Sequence, residues 1–259
     1  MQKKFVYYPF DLQMLRKITN MQRSYNRANN ELRPITIERN YTKHAHGSVL
    51  VSFGDTKVIC TAFVENRLPP WLRDSGRGWI TAEYGMLPGA TSQRGDRESI
   101  RKGRSQEISR LIGRSLRVVF DLGQLGECQV TVDCDVIQAD GGTRTASITG
   151  GFVAVYDALE SSVGKGFLKK IPVIDICAAV SVGWVNNEYL LDLDYFEDAQ
   201  ATVDMNFVMN SKNELIEIQG SGEHGTFTRE QLNKCIDLAE CGIQQVIEIQ
   251  KKVIGWNEK

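Results

Sequence analysis

Strand-like and helix-like stretches follow one another in two batches of the same order, and that order limits the architectures open to the chain. Residues 47–65, GSVLVSFGDTKVICTAFVE, hold two β-rich runs on either side of Gly54-Asp55, the composition of a tight hairpin. A strand is expected near Gly78–Tyr84, a helix over 105–117, a strand over 128–138 and a second helix from about 145 to 160. A Gly- and Lys-containing connection at 161–172 leads into the second batch. There AAVSVGWV and EYLLDLDY flank Asn186-Asn187, and ATVDMNFVM and ELIEIQGS flank Ser211-Lys212-Asn213, which predicts two further hairpins. Thr228 followed by Gln231 has the form of a capping box at the head of a last helix, running to about 253. Strands then helices, twice over, predict α+β layers rather than an alternating βαβ sheet.

A chain of 259 residues with 42% hydrophobic and 24% charged residues can bury one large core or two closely packed smaller ones. No apolar run reaches the roughly 18 residues of a membrane span, so no membrane partner is expected. The opening MQKKFVYYPFDLQMLRKITN lacks the apolar core and small-residue cleavage site of a secretory signal, which points to the cytoplasm. Residues 1–20 join poorly to the segment after them and are treated as an N-terminal extension of native or non-native origin. Residues 21–160 and 161–259 then form an N-terminal and a C-terminal part. The six cysteines make no CxxC pair, and with only three histidines they read as reduced core thiols rather than zinc ligands.

Three features carry candidate chemistry. The first is DGGTRTASITGG at 140–151, where a strand gives way to two glycines and a helix that opens on threonines. Helix N-termini present unpaired N–H groups, Gly142 permits close backbone approach, Thr143 can cap or donate, and Arg144 can fork onto a phosphate. On spacing alone, an ordinary glycine turn with a threonine cap is the simpler account. The second feature is acidic: Asp192, Asp194, Asp198 and Asp204. Two of these can hold Mg²⁺ beside a phosphate, although the alternation around Asp204 is also that of a solvated strand face. The third is basic. Net charge is −1, which argues against a nucleic-acid partner, yet residues 94–117 hold eight basic side chains against three acidic ones. Arg110, Arg114 and Arg117 share one face of the expected helix. The stretch reads either as a solvated loop and helix face or as a binder of RNA backbone. His44 and His46 are expected to be solvent-exposed rather than catalytic.

Six segments, in order, carry more than their spacing. LRPITIERNYTKHAHGSVLVSFGDTKVICTA, GWITAEYGMLPGAT, EISRLIGRSLR, DCDVIQADGGTRTASITGG, LDLDYFEDAQATVDMN and IEIQGSGE together closely resemble the ribonuclease PH family, from about Met21 to the C-terminus. The resemblance implies an α+β fold like the second domain of ribosomal protein S5 and a homohexameric ring built as a trimer of dimers. It implies phosphorolytic trimming of extra 3′ nucleotides from precursor tRNA, with inorganic phosphate as co-substrate, Mg²⁺ as cofactor and nucleoside diphosphates as products. The reverse reaction adds nucleotides from diphosphates. Residue by residue, it matches Arg104, Thr143 and Arg144 to phosphate binding, with Gly142 beside them, and Asp198 and Asp204 to the metal and the chemistry. Arg94 and Arg97, with Arg101 nearby, fall where the family handles RNA or a neighbouring subunit. Gly89 stands where the family commonly has arginine, and the loop between Arg97 and Arg104 is about three residues short.

Overall fold

A computed structural model describes residues 22–96 and 103–256 of the chain. The N-terminal extension and the expectations placed on Arg97 and Arg101 lie outside the described residues.

The first batch builds a five-stranded sheet from β1 (Ile35–Arg39), β2 (Gly47–Phe53), β3 (Thr56–Glu65), β4 (Trp79–Met86) and β5 (Gln129–Gln138), in the order β1-β2-β3-β5-β4. Gly54, at φ 56°, makes the β2–β3 turn, as the Gly-Asp pair predicts. All pairings are antiparallel except β4–β5, which is parallel. That parallel pair needs a crossover. The chain supplies it with α1 (Arg104–Val119) and a single helical turn, α2 (Leu122–Leu125). Ile108, Leu111, Ile112 and Leu116 of α1 are all buried, as their period requires.

The next helix, α3 (Thr143–Gly164), begins two residues earlier and ends four residues later than the sequence suggests. It is buried around most of its circumference because it packs on β2 and β3 on one side and on β6 on another. The second batch gives a four-stranded antiparallel sheet, β7-β6-β8-β9, from β6 (Cys177–Val185), β7 (Glu188–Leu191), β8 (Val203–Asn210) and β9 (Leu215–Ser221). Both hairpins form. Asn186 and Asn187 take φ 47° and 65°, the left-handed pair of a type I′ turn, and Asn213 takes φ 62°. The strand β7 stops at Leu191, short of the expected run, because Asp192 turns the chain at φ 55° into α4 (Tyr195–Gln200). The last helix, α5 (Arg229–Ile254), opens on the Thr228–Gln231 capping box and packs on β6, β7 and β8.

Both batches contribute to one continuous core, and the architecture is α+β with two sheets and helices packed between and against them. Five cysteines are buried free thiols, but Cys241 is exposed, since it falls on the solvent side of α5. His46 is half-buried. Its Nδ1 accepts the Val64 N–H at 3.0 Å and its ring meets Phe63, so it closes the end of β3 rather than standing in solvent. Among the described residues no helix is long and apolar enough to cross a membrane.

Candidate active site

Strand β5 ends at Gln138, and the chain must turn sharply to start α3. Gly141 and Gly142 do this at φ 73° and 65°. A Cβ at Gly141 would lie 2.5 Å from the Leu193 carbonyl oxygen, so the loop can approach the Leu193–Tyr195 backbone only as glycine. Gly142 is the N-cap, and it brings no side chain to the first turn of α3. Thr143 does not cap either. Its Oγ1 accepts a hydrogen bond from the Tyr84 hydroxyl at 2.9 Å. Tyr84, buried on β4, has its hydroxyl pKa raised by that burial, with Arg104 and Arg144 pulling it back. The first turn of α3 therefore keeps the donor groups and partial positive charge that suit an anion.

Arg144 projects from that turn. Its Nη1 donates to Gln219 Oε1 on β9 at 2.9 Å and lies 3.6 Å from Glu107 on α1. Arg104 is the first residue of α1 and is exposed. Both guanidiniums act on the two predicted aspartates. Burial pushes the Asp198 carboxyl up from its ordinary value, and Arg104 and Arg144 oppose the shift. On β8, Asp204 faces Gly183 of β6 and Ser221 of β9. Burial and then the charge of Asp198 push it up to about 6, against the pull of Arg144 and Arg104. Arg104, Arg144, Asp198 and Asp204, spread over 101 positions of sequence, thus lie near enough to act on one another's charge, and Thr143 adjoins them through the Tyr84 hydroxyl.

The acidic quartet divides. Asp192 is fully buried and forked by Arg33, and Asp194 caps α4 by accepting from the Phe196 and Glu197 N–H groups. Those two are structural. Asp204 is half-buried, not the solvated strand residue its alternation suggests, and Asp198 and Arg144 lie near enough to act on its carboxyl. Glu223, which follows β9, adds negative charge to both aspartates and is the acid that the sequence does not single out. It lies within the IEIQGSGE segment but at no distinctive spacing.

The donor set suits a hard divalent cation. Two carboxylates held above their ordinary pKa by burial, with neighbouring negative charge adding to the shift, gain from a nearby positive charge. Among the described residues no three His, Cys, Asp or Glu side chains gather closely enough to hold a metal unaided. An ion here would complete its shell with water or substrate oxygens.

The basic helix face is more committed than its pattern implies. Arg114 forks onto Glu217 of β9 at 2.7 and 3.1 Å. Arg117 donates to the Ile80 carbonyl and lies 4.3 Å over the Trp79 ring. Arg110 and Arg94 remain exposed. Gly89 is exposed too, and a side chain there would meet open space, so the fold itself does not require glycine at that position.

Profiles of the 3′ exoribonuclease family match the chain in both parts, domain 1 over residues 31–159 and domain 2 over residues 175–242. Solved structures of the same fold include the Archaeoglobus fulgidus exosome with RNA bound to the active site, at TM-score 0.75 and 23% identity over 91% of this chain and 95% of that one. Rice (Oryza sativa) Rrp46 matches at TM-score 0.70 and 20% identity, over 90% of this chain and 100% of that one. An archaeal exosome core matches at 0.72 and 22%, over 93% and 94%. Taken with the two domain profiles, which span most of its length, the chain belongs to the 3′ exoribonuclease family.

Proposed function

We propose that this protein removes nucleotides from the 3′ end of RNA by phosphorolysis, in the cytoplasm, with precursor tRNA and other structured 3′ ends as substrates. One observation carries the reading: Arg104 and Arg144, the second of them in the first turn of an α-helix without a side-chain cap, act on the same pair of carboxylates. Inorganic phosphate is largely a dianion near neutral pH, and the diester it must attack is also an anion. A site for that reaction has to neutralise both, and positioning with charge stabilisation then supplies most of the rate. Arg104, Arg144, Thr143 and the first N–H groups of α3 hold the attacking phosphate in line with the last phosphodiester. Gly142 lets the backbone come close to it. Asp198 and Asp204 are the residues to hold Mg²⁺, which would stabilise charge on the transferring phosphoryl group or the leaving 3′ oxygen. Where Asp198 alone ligates the ion, Asp204, pushed up to about 6, is instead our candidate for the general acid that protonates that oxygen. The reverse reaction adds nucleotides from diphosphates at the same site.

We further propose a homohexameric ring, with Arg94, Arg97 and Arg101 contacting RNA backbone or the adjacent subunit. The likeness in fold to chains of the Archaeoglobus fulgidus exosome and of an archaeal exosome core supports assembly with other subunits. The decisive experiment incubates the purified protein with Mg²⁺ and a precursor tRNA bearing a 3′ tail, with and without inorganic phosphate. Nucleoside diphosphates are expected, and only with phosphate. Monophosphates formed without phosphate would make the protein a hydrolase. Bound but uncut RNA would make it a non-catalytic ring subunit.

A further inference from the structure

Among the described residues Arg33 is the largest side chain withdrawn from solvent. A buried charge requires partners, and those of Arg33 sit in the two loops that lead into the active site. Its Nε and Nη2 fork onto Asp192 at 3.0 and 2.6 Å, and its backbone N–H donates to the same carboxylate at 2.8 Å. Its Nη1 donates to the Asp140 carbonyl oxygen at 2.5 Å.

Asp140 lies two residues before the N-cap of α3, and Asp192 lies two residues before the N-cap of α4. One guanidinium therefore joins the loop that delivers Thr143 and Arg144 to the loop that delivers Asp198. The packing leaves little slack, since a Cβ at Gly142 would come within 2.8 Å of Arg33 Nη2. Two more arginines brace the acidic half. Arg27 donates to the Asp192 carbonyl at 2.8 Å, and Arg23 and Arg27 both grip Glu197, the residue before Asp198, at 2.7 and 3.1 Å.

Stability does not account for this arrangement. A buried ion pair costs so much desolvation that a well-packed apolar pair of similar volume generally serves the fold as well or better. What an apolar pair cannot supply is a directional fork onto one loop and a hydrogen bond to the other. We propose that Arg33 is a positioning residue for the reaction: its bonds to Asp192 and to Asp140 set the spacing between the phosphate-holding half of the site and the acidic half. The inference rests on the phosphorolysis reading. Arg33 touches no substrate and acts through Asp198, Thr143 and Arg144. Phosphoryl transfer is sensitive to such spacing, because misplacing reacting groups by about 1 Å can cost roughly 100-fold in rate.

The test compares the full-length wild type with Arg33→Lys, Arg33→Met and the double variant Arg33→Met with Asp192→Asn, since asparagine tolerates the φ of 55° at position 192 and still accepts from the backbone N–H of residue 33. Steady-state kcat and the KM values for inorganic phosphate and for 3′-tailed RNA are measured beside thermal melting. Arg33→Met, which removes the fork on Asp192 and leaves its buried charge only Arg27, at 3.7 Å, as a cationic partner among the described residues, should lower both Tm and kcat. The double variant removes that charge, so its Tm should return to near wild type while kcat stays roughly 30-fold or more down and both KM values move less than about 3-fold. Arg33→Lys keeps the charge but loses the fork, and its kcat should also fall by about 10-fold or more. Recovery of kcat together with Tm in the double variant would reduce Arg33 to a structural role and overturn the inference. So would an Arg33→Lys enzyme within about 3-fold of wild-type kcat, or raised KM values with kcat intact. A wild type that makes no diphosphate in the presence of phosphate overturns the phosphorolysis reading, and the inference falls with it.

Discussion

Asp204 sits half-buried on β8, and its carboxyl is pushed up to about 6 by burial and by the charge of Asp198. The folded chain thus binds this proton more tightly than the unfolded chain does. Stability falls as pH rises from the ordinary carboxylate value near 4 through about 6, and above that the whole penalty is present. Its size is on the order of 2 kcal/mol after allowance for partial exposure. Asp204→Asn should therefore stabilise the metal-free, RNA-free protein by about 1–2 kcal/mol at pH 8 and by nearly nothing at pH 4. Urea melts at the two pH values measure this, and an equal change at both would count against the electrostatic origin. Arg104 tests the other half of the site. It is exposed at the head of α1, so Arg104→Ala should leave folding intact and cut kcat/KM for phosphate by about 100-fold, while RNA affinity changes by less than about 3-fold. Equal losses in phosphate use and RNA binding would move Arg104 out of the phosphate site. The four aspartates 192, 194, 198 and 204 look alike in the sequence. They separate only once Arg33 and the N-cap of α4 claim the first two, and partners 159 residues apart leave no periodic trace.

Elements whose signals are local were legible. The Asn186-Asn187 turn, the Thr228–Gln231 capping box and the apolar face of α1 depend on residues within a few positions of one another, and each forms as its composition dictates. The fates of Arg114 and Arg117 depend on other elements, and they were not legible. Arg114 reads as part of a free basic face, but its fork to Glu217 ties α1 to β9. The pair is partly exposed, so Arg114→Ala should cost at most about 1 kcal/mol, read from the melting midpoint. Its charge is already engaged, so the dependence of RNA affinity on salt should keep its slope. A slope flattened by about one unit would show that Arg114 meets RNA phosphate after all.

For the whole molecule the question is what the exposed basic side chains do. Arg94 is exposed between β4 and α1, and no salt bridge to it is seen among the described residues. Arg94→Ala should either flatten the salt dependence of RNA binding by about one unit or lower the mass seen by analytical ultracentrifugation. An unchanged slope with an unchanged mass would remove both proposed roles. The α+β architecture was readable from the two batches of elements, because element order restricts layer architecture strongly. The parallel β4–β5 pairing was not. It is set by the crossover through α1, and the strands themselves carry no mark of their neighbour's direction.

The site is assembled from both ends of the chain. Arg33, Arg104, Thr143 and Arg144 come early, and Asp192, Asp198 and Asp204 come late. A nascent chain still short of residue 204 on the ribosome holds the phosphate-binding arginines without the full acidic pair, and until residue 192 is made its Arg33 has no carboxylate to fork. On the proposed mechanism the polypeptide is therefore inert toward the messenger, transfer and ribosomal RNA around it until residue 204 has been made and has left the ribosome.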